Sequence, residues 1–464
     1  MKTKAMIFGA AAIASSMLMA ADTPEVENVV MTQASFGRMV TVTYKLKNAA
    51  DGAVVTFDVE TNTLADASGE WVSIGGAAVC NARGAVWRKV TAADADSEGK
   101  YTITWRPDLS WEGHKVSLAD GGARAVVTAW ALDNTPNYMV VDISAAAKPN
   151  TQRYYTSANF LPGGLFGNPD YRTTSLVMRK IEAKDVTWTM GSTASENQSR
   201  NAAREGTHQV TLTNNYYIGV YEVTQSQWSQ IATNSSIGAK FAMEGSMRPM
   251  ETVCYNEIRL KANSKDAATT SEISNYSWPK SPNPSSFLGI LRSKTGINFD
   301  LPSEAQWEFA ARAGNGCGYW NDGSPILNKT PDENLNLLGR NEANGGMPQG
   351  KNPDDNVGPT NGTAIVGSYA PSNWGLYDMH GNVNEWCLDW YTDNILEIAG
   401  KVNIDPEDPA RTLSNDSSGS TRVRKGGTYY GGAGSNRPAY RSGSQPTARD
   451  TGIGIRVVCT AGLK

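Results

Sequence analysis

Apolar and polar residues alternate with a period of two through the first third of the chain. In MVTVTYKLK, Val40, Val42, Tyr44 and Leu46 alternate with threonine and lysine, and the stretches VTFDVE, YTITW and MVVDIS repeat the pattern. Strands with this alternation turn one face to a core and the other to solvent. Because Gly, Asp and Asn cluster between these runs, the pattern predicts that residues 26–144 form an all-β sandwich of the immunoglobulin or fibronectin type III kind.

A different pattern follows, with few strand-like runs and many loops rich in Gly, Asn and Pro. Two capping boxes predict helices in this region: Thr224 with Gln227, and Ser303 with Gln306. The small, polar stretch SAAAKPNTQ lies at the start of segment 145–173, which we interpret as a linker. A chain of 464 residues suits two or three domains joined in this way.

The chain begins with a positively charged and then apolar segment, MKTKAMIFGAAAIASSMLMAAD. Two lysines, an apolar run and the small residues Ala20 and Ala21 are typical of a secretory signal peptide, so residues 1–21 are expected to be removed. The run is shorter than the ~20 residues of a membrane-spanning helix, and no later segment has the apolar length to span a membrane. The mature protein is therefore predicted to be periplasmic or secreted.

Composition and motifs disfavour several classes of function. The net charge is −4, the pI is about 5.6 and no long basic run occurs, so a nucleic-acid partner is not expected. The P-loop, zinc-protease and nucleophile-elbow motifs do not occur in the sequence. Five cysteines without a C-x-x-C pair disfavour a thiolate zinc site and allow one or two disulfides.

Six sequence blocks in the second region resemble the formylglycine-generating enzyme, or sulfatase-modifying factor, family. They occur in the family's order within residues 174–461: VTWTMGS, YYIGVYEVTQSQW, RPMETVCYNEI, FDLPSEAQWEFAARAG, VGSYAPSNWGLYDMHGNVNEWCLDWY, and VRKGGTYY with its continuation to GIGIRVV. The resemblance implies a C-type-lectin-like fold. The expected fold class is therefore α+β with much irregular structure, preceded by the all-β sandwich.

The stretch GLYDMHGNVNEWCLDWY matches a family loop that holds a structural calcium ion. The resemblance implies ligands at Asp378, Gly381, Val383 and Glu385, as two carboxylates and two backbone carbonyls. Such hard oxygens are the ligands that Ca²⁺ prefers. The alternative is a metal-free turn in which Asp378 and Glu385 bind backbone N–H groups.

Family members that form formylglycine bind Cu(I) with two cysteine thiolates and oxidise a cysteine of a substrate protein. Those cysteines follow a GGS-type turn, which in this chain is KGGTYYGGAGSN, residues 425–436. The matching positions are Gly431 and Asn436, and neither side chain offers the soft thiolate that Cu(I) requires. Copper is therefore not expected as a cofactor.

Two classes of function follow from this comparison. The first is a non-catalytic binding or scaffold protein, and the second is an oxidoreductase of the formylglycine-generating type with an altered site, acting on protein substrates. Thr428, Arg437, Tyr440 and Arg441 lie close to Gly431 in sequence and are candidates for binding a peptide or glycan. The alternative is a structural role, in which Arg441 pairs with a buried acid.

Overall fold

The computed structural model describes residues 23–33, 38–64, 68–111, 113, 122–194, 196, 200–232, 247–261, 268–314, 327, 329–345, 362–395 and 421–463. The expected signal peptide and Cys317 lie outside these ranges. The architecture of the described part is mixed α+β, with many strands and few helices. No helix in these ranges is long and apolar enough to cross a membrane.

The elements are short and are numbered in chain order. The strands are β1 (Glu25–Gln33), β2 (Val40–Lys47), β3 (Ala53–Asn62), β4 (Trp71–Ser73), β5 (Arg83–Gly84), β6 (Arg88–Val90), β7 (Tyr101–Trp105), β8 (Ala123–Trp130), β9 (Tyr138–Asp142), β10 (Arg153–Tyr155), β11 (Ser175–Ile181), β12 (Val186–Met190), β13 (His208–Leu212), β14 (Tyr216–Gly219), β15 (Asn384–Trp390), β16 (Arg422–Lys425), β17 (Ser442–Ser444), β18 (Ile453–Gly454) and β19 (Val458–Thr460). The helices are α1 (Gly76–Val79), α2 (Pro107–Ser110), α3 (Gln225–Ile231), α4 (Thr270–Tyr276), α5 (Phe287–Thr295), α6 (Glu304–Arg312) and α7 (Glu333–Leu338).

The N-terminal region contains two antiparallel sheets. One has the strand order β1-β2-β7-β5, and the other pairs β3 with β4, β6 and β8. Val42 and Ile103 of the first sheet share one buried cluster with Phe57 and Val59 of the second. The alternation in the sequence thus corresponds to inward-facing apolar side chains, while the immunoglobulin or fibronectin assignment stays a prediction.

A central five-stranded sheet, in the order β10-β9-β11-β14-β19, joins this region to the rest of the chain. Met139 of β9 pairs with Met178 of β11, and Tyr154 of β10 pairs with Met139. The structure therefore corrects two expectations: the MVVDIS strand, included in the predicted sandwich of residues 26–144, pairs in the central sheet instead, and part of the interpreted linker forms β10. The alternating pattern identified β9 as a strand but did not encode the neighbour with which it pairs.

The central sheet is buried on both faces. Alternate residues of β9 to β11, including Met139 and Met178, pack in one cluster with α3 and α5. Tyr138, Tyr155 and Val177 point to the opposite face and belong to the same cluster as the core of the N-terminal sheets. The N-terminal sheets therefore cover part of the second face of the central sheet.

The helix α6 covers another part of the central sheet. Its residues Trp307 and Ala310 pack against Tyr216 and Ile218 of β14. Local hydrogen bonds begin the helix, because Ser303 Oγ accepts the Gln306 N–H at 3.2 Å and Gln306 Oε1 accepts the Ser303 N–H at 2.9 Å.

Both predicted capping boxes are confirmed. Thr224 and Gln227 form the same reciprocal pair at the start of α3 that Ser303 and Gln306 form at the start of α6. A further sheet, in the order β17-β16-β15-β18, follows these helices in the chain and carries the residues singled out from the family resemblance.

Candidate functional site

The DMHGNVNE loop turns sharply before it enters β15. Asp378 and Gly381 have left-handed backbone conformations, with φ angles of 58° and 86°. At Gly381 a Cβ atom would lie 2.0 Å from the carbonyl oxygen of Arg340, so this position requires glycine. The turn directs the carboxylates of Asp378 and Glu385 into the interior, where both residues are at most 1% exposed.

Glu385 forms a closed ion pair with Arg456. Arg456 Nε lies 3.0 Å from both carboxylate oxygens, and Nη2 lies 2.8 Å from Oε1. The indole of Trp307 donates to Oε2 at 2.5 Å, and the guanidinium also donates to the carbonyls of Gly219 and Tyr377. These donors occupy both oxygens of Glu385, which counts against its expected role as a calcium ligand.

Asp378 differs from Glu385 because one of its oxygens is open. Oδ2 accepts the backbone N–H of Gly367 at 2.7 Å, whereas Oδ1 is buried with no partner in the described part of the chain. Burial raises the pKa of Asp378 to about 6. Burial, Asp378 and Glu385 together raise the pKa of the neighbouring Glu222 well above its ordinary range. Three buried carboxylates thus lie around the guanidinium of Arg456.

This cluster of carboxylates suits a cation, because a bound cation favours their ionised forms. A buried carboxylate oxygen without a partner is costly, and a bound cation would satisfy it. No group of three or more His, Cys, Asp or Glu side chains in the described ranges is arranged to hold a metal ion. A site at this loop would therefore depend on Asp378 and on backbone carbonyls such as those of Gly381 and Val383.

The side chain of Asn436 closes the turn at residues 425–436. Oδ1 accepts the Thr428 N–H at 3.0 Å, and Nδ2 donates to the carbonyls of Thr428 and Gly431 at 3.3 and 3.2 Å. The carbonyl of Asn436 lies 3.0 Å from Nδ1 of His380, whose pKa is lowered to about 3 by burial. The Asn436 amide is wholly buried and serves the backbone of the turn.

A side chain at Gly431 would force neighbouring side chains to shift. A Cβ atom at this position would lie 2.7 Å from Ser435 Oγ, 2.8 Å from Asn436 Oδ1 and 3.1 Å from Thr428 Oγ1. The Asn436 amide oxygen is therefore among the atoms that a side chain at position 431 would displace. The small residue at position 431 leaves space for the Asn436 side chain, which binds the backbone of the same turn.

The two arginines expected to bind a ligand lie inside the protein. Arg437 donates from Nη1 and Nη2 to the two oxygens of Glu205, at 2.6 and 2.9 Å. Arg441 makes a similar bidentate contact with Glu304, at 2.6 and 2.8 Å. Both arginines are at most 3% exposed. They therefore form structural ion pairs with buried acids and do not line a groove. Tyr440 is half-buried beside them.

A buried ionic network ties α6 to β16 next to these pairs. Lys425 Nζ lies 3.4 Å from Glu304 and 3.0 Å from Glu308, and Arg312 lies 2.8 Å from Glu308. Although burial raises it, the charges of Lys425 and Arg312 lower the pKa of Glu308 to about 2. Ion pairs of this kind rigidify the region, and the charges of Lys425 and Arg312 are directed to buried carboxylates.

The described cysteines are free and lie in positions that suppress their reactivity. Cys254, Cys387 and Cys459 are buried, and Cys80 is half-buried. Burial raises the pKa of Cys254 to about 11 and the pKa values of Cys387 and Cys459 well above the ordinary range. Because the thiolate is the reactive form, these thiols are poor nucleophiles and poor ligands for Cu(I) at neutral pH.

Residues 174–461 match the family model described as the sulfatase-modifying factor enzyme 1-like domain. The chain belongs to this family. The matched range is the one over which the six sequence blocks occur, so the family predicted from those blocks is confirmed. The sulfatase-modifying factor-like domain thus contains both the Asp378 loop and the turn closed by Asn436.

The relatives of this sulfatase-modifying factor-like chain carry several names. The chaperone protein LppX of Paenibacillus barcinonensis is 27% identical over 257 residues, which cover 54% of this chain and 81% of LppX. The formylglycine-generating enzyme of Mus musculus is 28% identical over 304 residues, which cover 62% of this chain and 73% of the enzyme. The solved structure of PvdO from Pseudomonas aeruginosa has 21% identity and a TM-score of 0.44, and it covers 61% of this chain and 94% of PvdO.

A cleft of about 380 Å³ lies beside β19 and contains none of the site residues expected from the sequence. Its lining includes Trp278, Arg292, Asn298, Asp300 and Thr460. The sequence did not predict this cleft, because the exposure of Trp278 depends on the folded structure. The available signal was the stretch NYSWPKSPNP, in which a single tryptophan stands among polar residues and prolines.

Proposed function

We propose that this protein is a secreted or periplasmic binding or scaffold protein whose sulfatase-modifying factor-like domain is not catalytic. The closed turn carries the proposal, because the family resemblance matches Gly431 and Asn436 to the two copper-binding cysteines and the Asn436 amide is used within the turn. The burial of the described thiols supports it. The relative named as a chaperone supports it as well, because a chaperone acts by binding other proteins.

The direct test is an assay for formylglycine. The mature protein is incubated with a sulfatase-type peptide that contains one cysteine, together with Cu(I), a reductant and O₂. We expect mass spectrometry to recover the peptide with its thiol intact, because the turn offers no soft ligand for Cu(I). A formylglycine-generating enzyme serves as the positive control.

A variant in which all five cysteines are replaced by serine controls for adventitious copper binding. Aldehyde formation that occurs with the natural protein and requires its fold would refute the non-catalytic proposal. Aldehyde formation that the cysteine-free variant retains would further show that the reacting site uses ligands other than thiols.

We also propose that the loop around Asp378 binds a structural calcium ion. The open, buried Oδ1 of Asp378 and the two neighbouring carboxylates of Glu222 and Glu385 support a cation at this place. The carbonyls of Gly381 and Val383 are the further ligands that the family resemblance implies. Glu385 has its oxygens on Arg456, so its contribution would be electrostatic.

Removal of calcium is expected to lower the melting temperature of the natural protein. An ion that binds only the folded state stabilises it by ~2.7 kcal/mol when its free concentration is 100 times the dissociation constant. Thermal unfolding with excess EGTA and with excess CaCl₂ measures this difference, and Asp378→Asn should abolish it. Identical melting curves for the natural protein under the two conditions would contradict an exchangeable calcium site.

A further inference from the structure

We infer that the cleft beside β19 binds an acidic saccharide, that is, a sugar chain bearing carboxylates. Trp278 supplies a stacking face and Arg292 supplies the charged hydrogen bond in this interpretation. The inference gives a ligand class to the proposed binding function and therefore rests on it. The cleft volume of about 380 Å³ falls in the range of roughly 300–1,000 Å³ that is usual for ligand sites.

Trp278 provides the first observation. It lines the cleft, and 38% of its surface is exposed, whereas most large apolar residues of the domain are buried. A flat indole ring stacks well on the apolar face of a sugar, and the Trp278 N–H, which has no hydrogen-bond partner in the described part of the chain, can donate to a hydroxyl. An exposed indole in a polar cleft therefore suits a saccharide.

The charges of the cleft favour an anionic ligand. Asp300 is the acceptor of two guanidinium groups: Arg259 binds it at 3.0 and 3.1 Å, and Arg292 Nη2 binds it at 3.0 Å. The Asp300 carboxylate is thus shared between two guanidinium groups, of which Arg259 is fully buried. Arg292 presents its guanidinium to the cleft, since its side chain is 20% exposed and lines it.

Arg292 also has N–H donors that can bind a ligand. Its Nε donates to the Phe299 carbonyl at 2.6 Å and its Nη2 to Asp300, while Nη1 has no partner in the described part of the chain. A guanidinium held by two such bonds is fixed in orientation, which lowers the entropy lost when it binds a carboxylate. This arrangement suits recognition of an acid at a defined place.

Neutral polar groups complete the lining. Asn298 and Thr460 are exposed, and the structure gives their side chains no hydrogen-bond partner within its described ranges. The amide oxygen of Gln306 accepts the Ser303 N–H, which leaves its NH₂ group available to the cleft. Amides and hydroxyls both donate and accept, as the hydroxyls of a sugar require.

The backbone of the cleft argues against a peptide that adds a strand to the sheet. β19 is the edge strand, but the outward N–H and carbonyl of Val458 are already bonded to the backbone of Asp300, at 2.8 and 2.9 Å. A peptide therefore finds this part of the edge closed, and side chains must supply the recognition. The exposed ring and the polar side chains suit a sugar better than an extended peptide.

The test is calorimetric titration of the whole mature protein with four acidic oligosaccharides: oligomers of galacturonate, guluronate, mannuronate and glucuronate. We expect at least one of them to bind, with an affinity that falls as salt is added because one partner is the Arg292 charge. Trp278→Ala is expected to weaken that binding by about tenfold or more, and Asn298→Ala by less. Phe166→Ala is the matched control, since this exposed aromatic residue is not in the cleft lining.

Three outcomes would overturn the inference. They are no binding of any of the four oligomers, binding that Trp278→Ala leaves unchanged, and equal binding of polyglutamate, which would indicate an acidic peptide. Both tested side chains are exposed, so unchanged melting temperatures will show that the variants remain folded. The assay contains neither copper nor a cysteine peptide, so its failure leaves the non-catalytic proposal standing, and oxidation of the peptide would refute that proposal whatever the saccharides do.

Discussion

Arg456→Met is expected to destabilise the protein by about 3–5 kcal/mol, as is typical when one partner of a buried ion pair is removed. Arg456 is wholly buried and binds Glu385 through Nε and Nη2. Its removal takes away the guanidinium that binds Glu385 and acts electrostatically on Glu222 and Asp378. Because the total stability of a domain is roughly 5–15 kcal/mol, a large part of it would be lost.

The measurement is chemical unfolding of the natural protein and the variant, followed by circular dichroism. Lys47→Met is the matched control, because Lys47 also lies near two carboxylates, those of Glu25 and Glu27, but its side chain is 56% exposed. Exposed pairs contribute at most about 1 kcal/mol, so this variant should unfold almost as the natural protein does. Equal destabilisation by the two substitutions would show that the buried Arg456 ion pair stabilises the protein no more than an exposed pair does.

The effect of Arg456→Met on stability is expected to depend on calcium. If a calcium ion also balances the carboxylates around Asp378, excess CaCl₂ should reduce the effect of Arg456→Met and leave that of Lys47→Met unchanged. The guanidinium and the ion would then share the neutralisation of one cluster. An effect of Arg456→Met that is the same with EGTA and with CaCl₂ would mean that the two do not act on the same charges.

Features that depend on neighbours in sequence were predictable. The capping boxes of Thr224 and Ser303 involve partners three residues away, so the sequence alone shows both halves of each interaction. The strands β2, β3 and β7 were visible for the same reason, because alternation is a local property of a strand. The six family blocks further predicted the mixed α+β architecture of the second region.

Features that depend on distant partners were not predictable. Arg437 finds Glu205 and Arg441 finds Glu304, each more than 130 residues away in the chain. Nothing near these arginines in sequence distinguishes a buried ion pair from a ligand contact. The sequence therefore predicted a ligand groove from arginines that lie in the interior of the protein. The pairing of β9 with β11 was hidden in the same way.

A chain that begins at residue 174, where the family match begins, is expected to fail to fold cooperatively. It would lack β9 and β10, whose residues are buried on both faces of the central sheet: Tyr138, Met139, Val141, Tyr154 and Tyr155. Burial of large apolar side chains contributes ~1.5–3 kcal/mol each, so the loss is on the order of 10 kcal/mol. That is comparable to the whole stability of a domain.

A chain of residues 133–463 separates the contribution of these two strands from that of the N-terminal sheets. It restores β9 and β10 beside β11 but leaves Tyr138, Tyr155 and Val177 without the N-terminal core that covers them. We expect a cooperative thermal transition for this chain, at a lower melting temperature than that of the full protein, and none for 174–463. A cooperative transition of 174–463 at the full-length melting temperature would show that the central sheet is complete without β9 and β10. The unit of folding would then coincide with the family match, and the strands before residue 174 would be an addition to its surface rather than a part of its core.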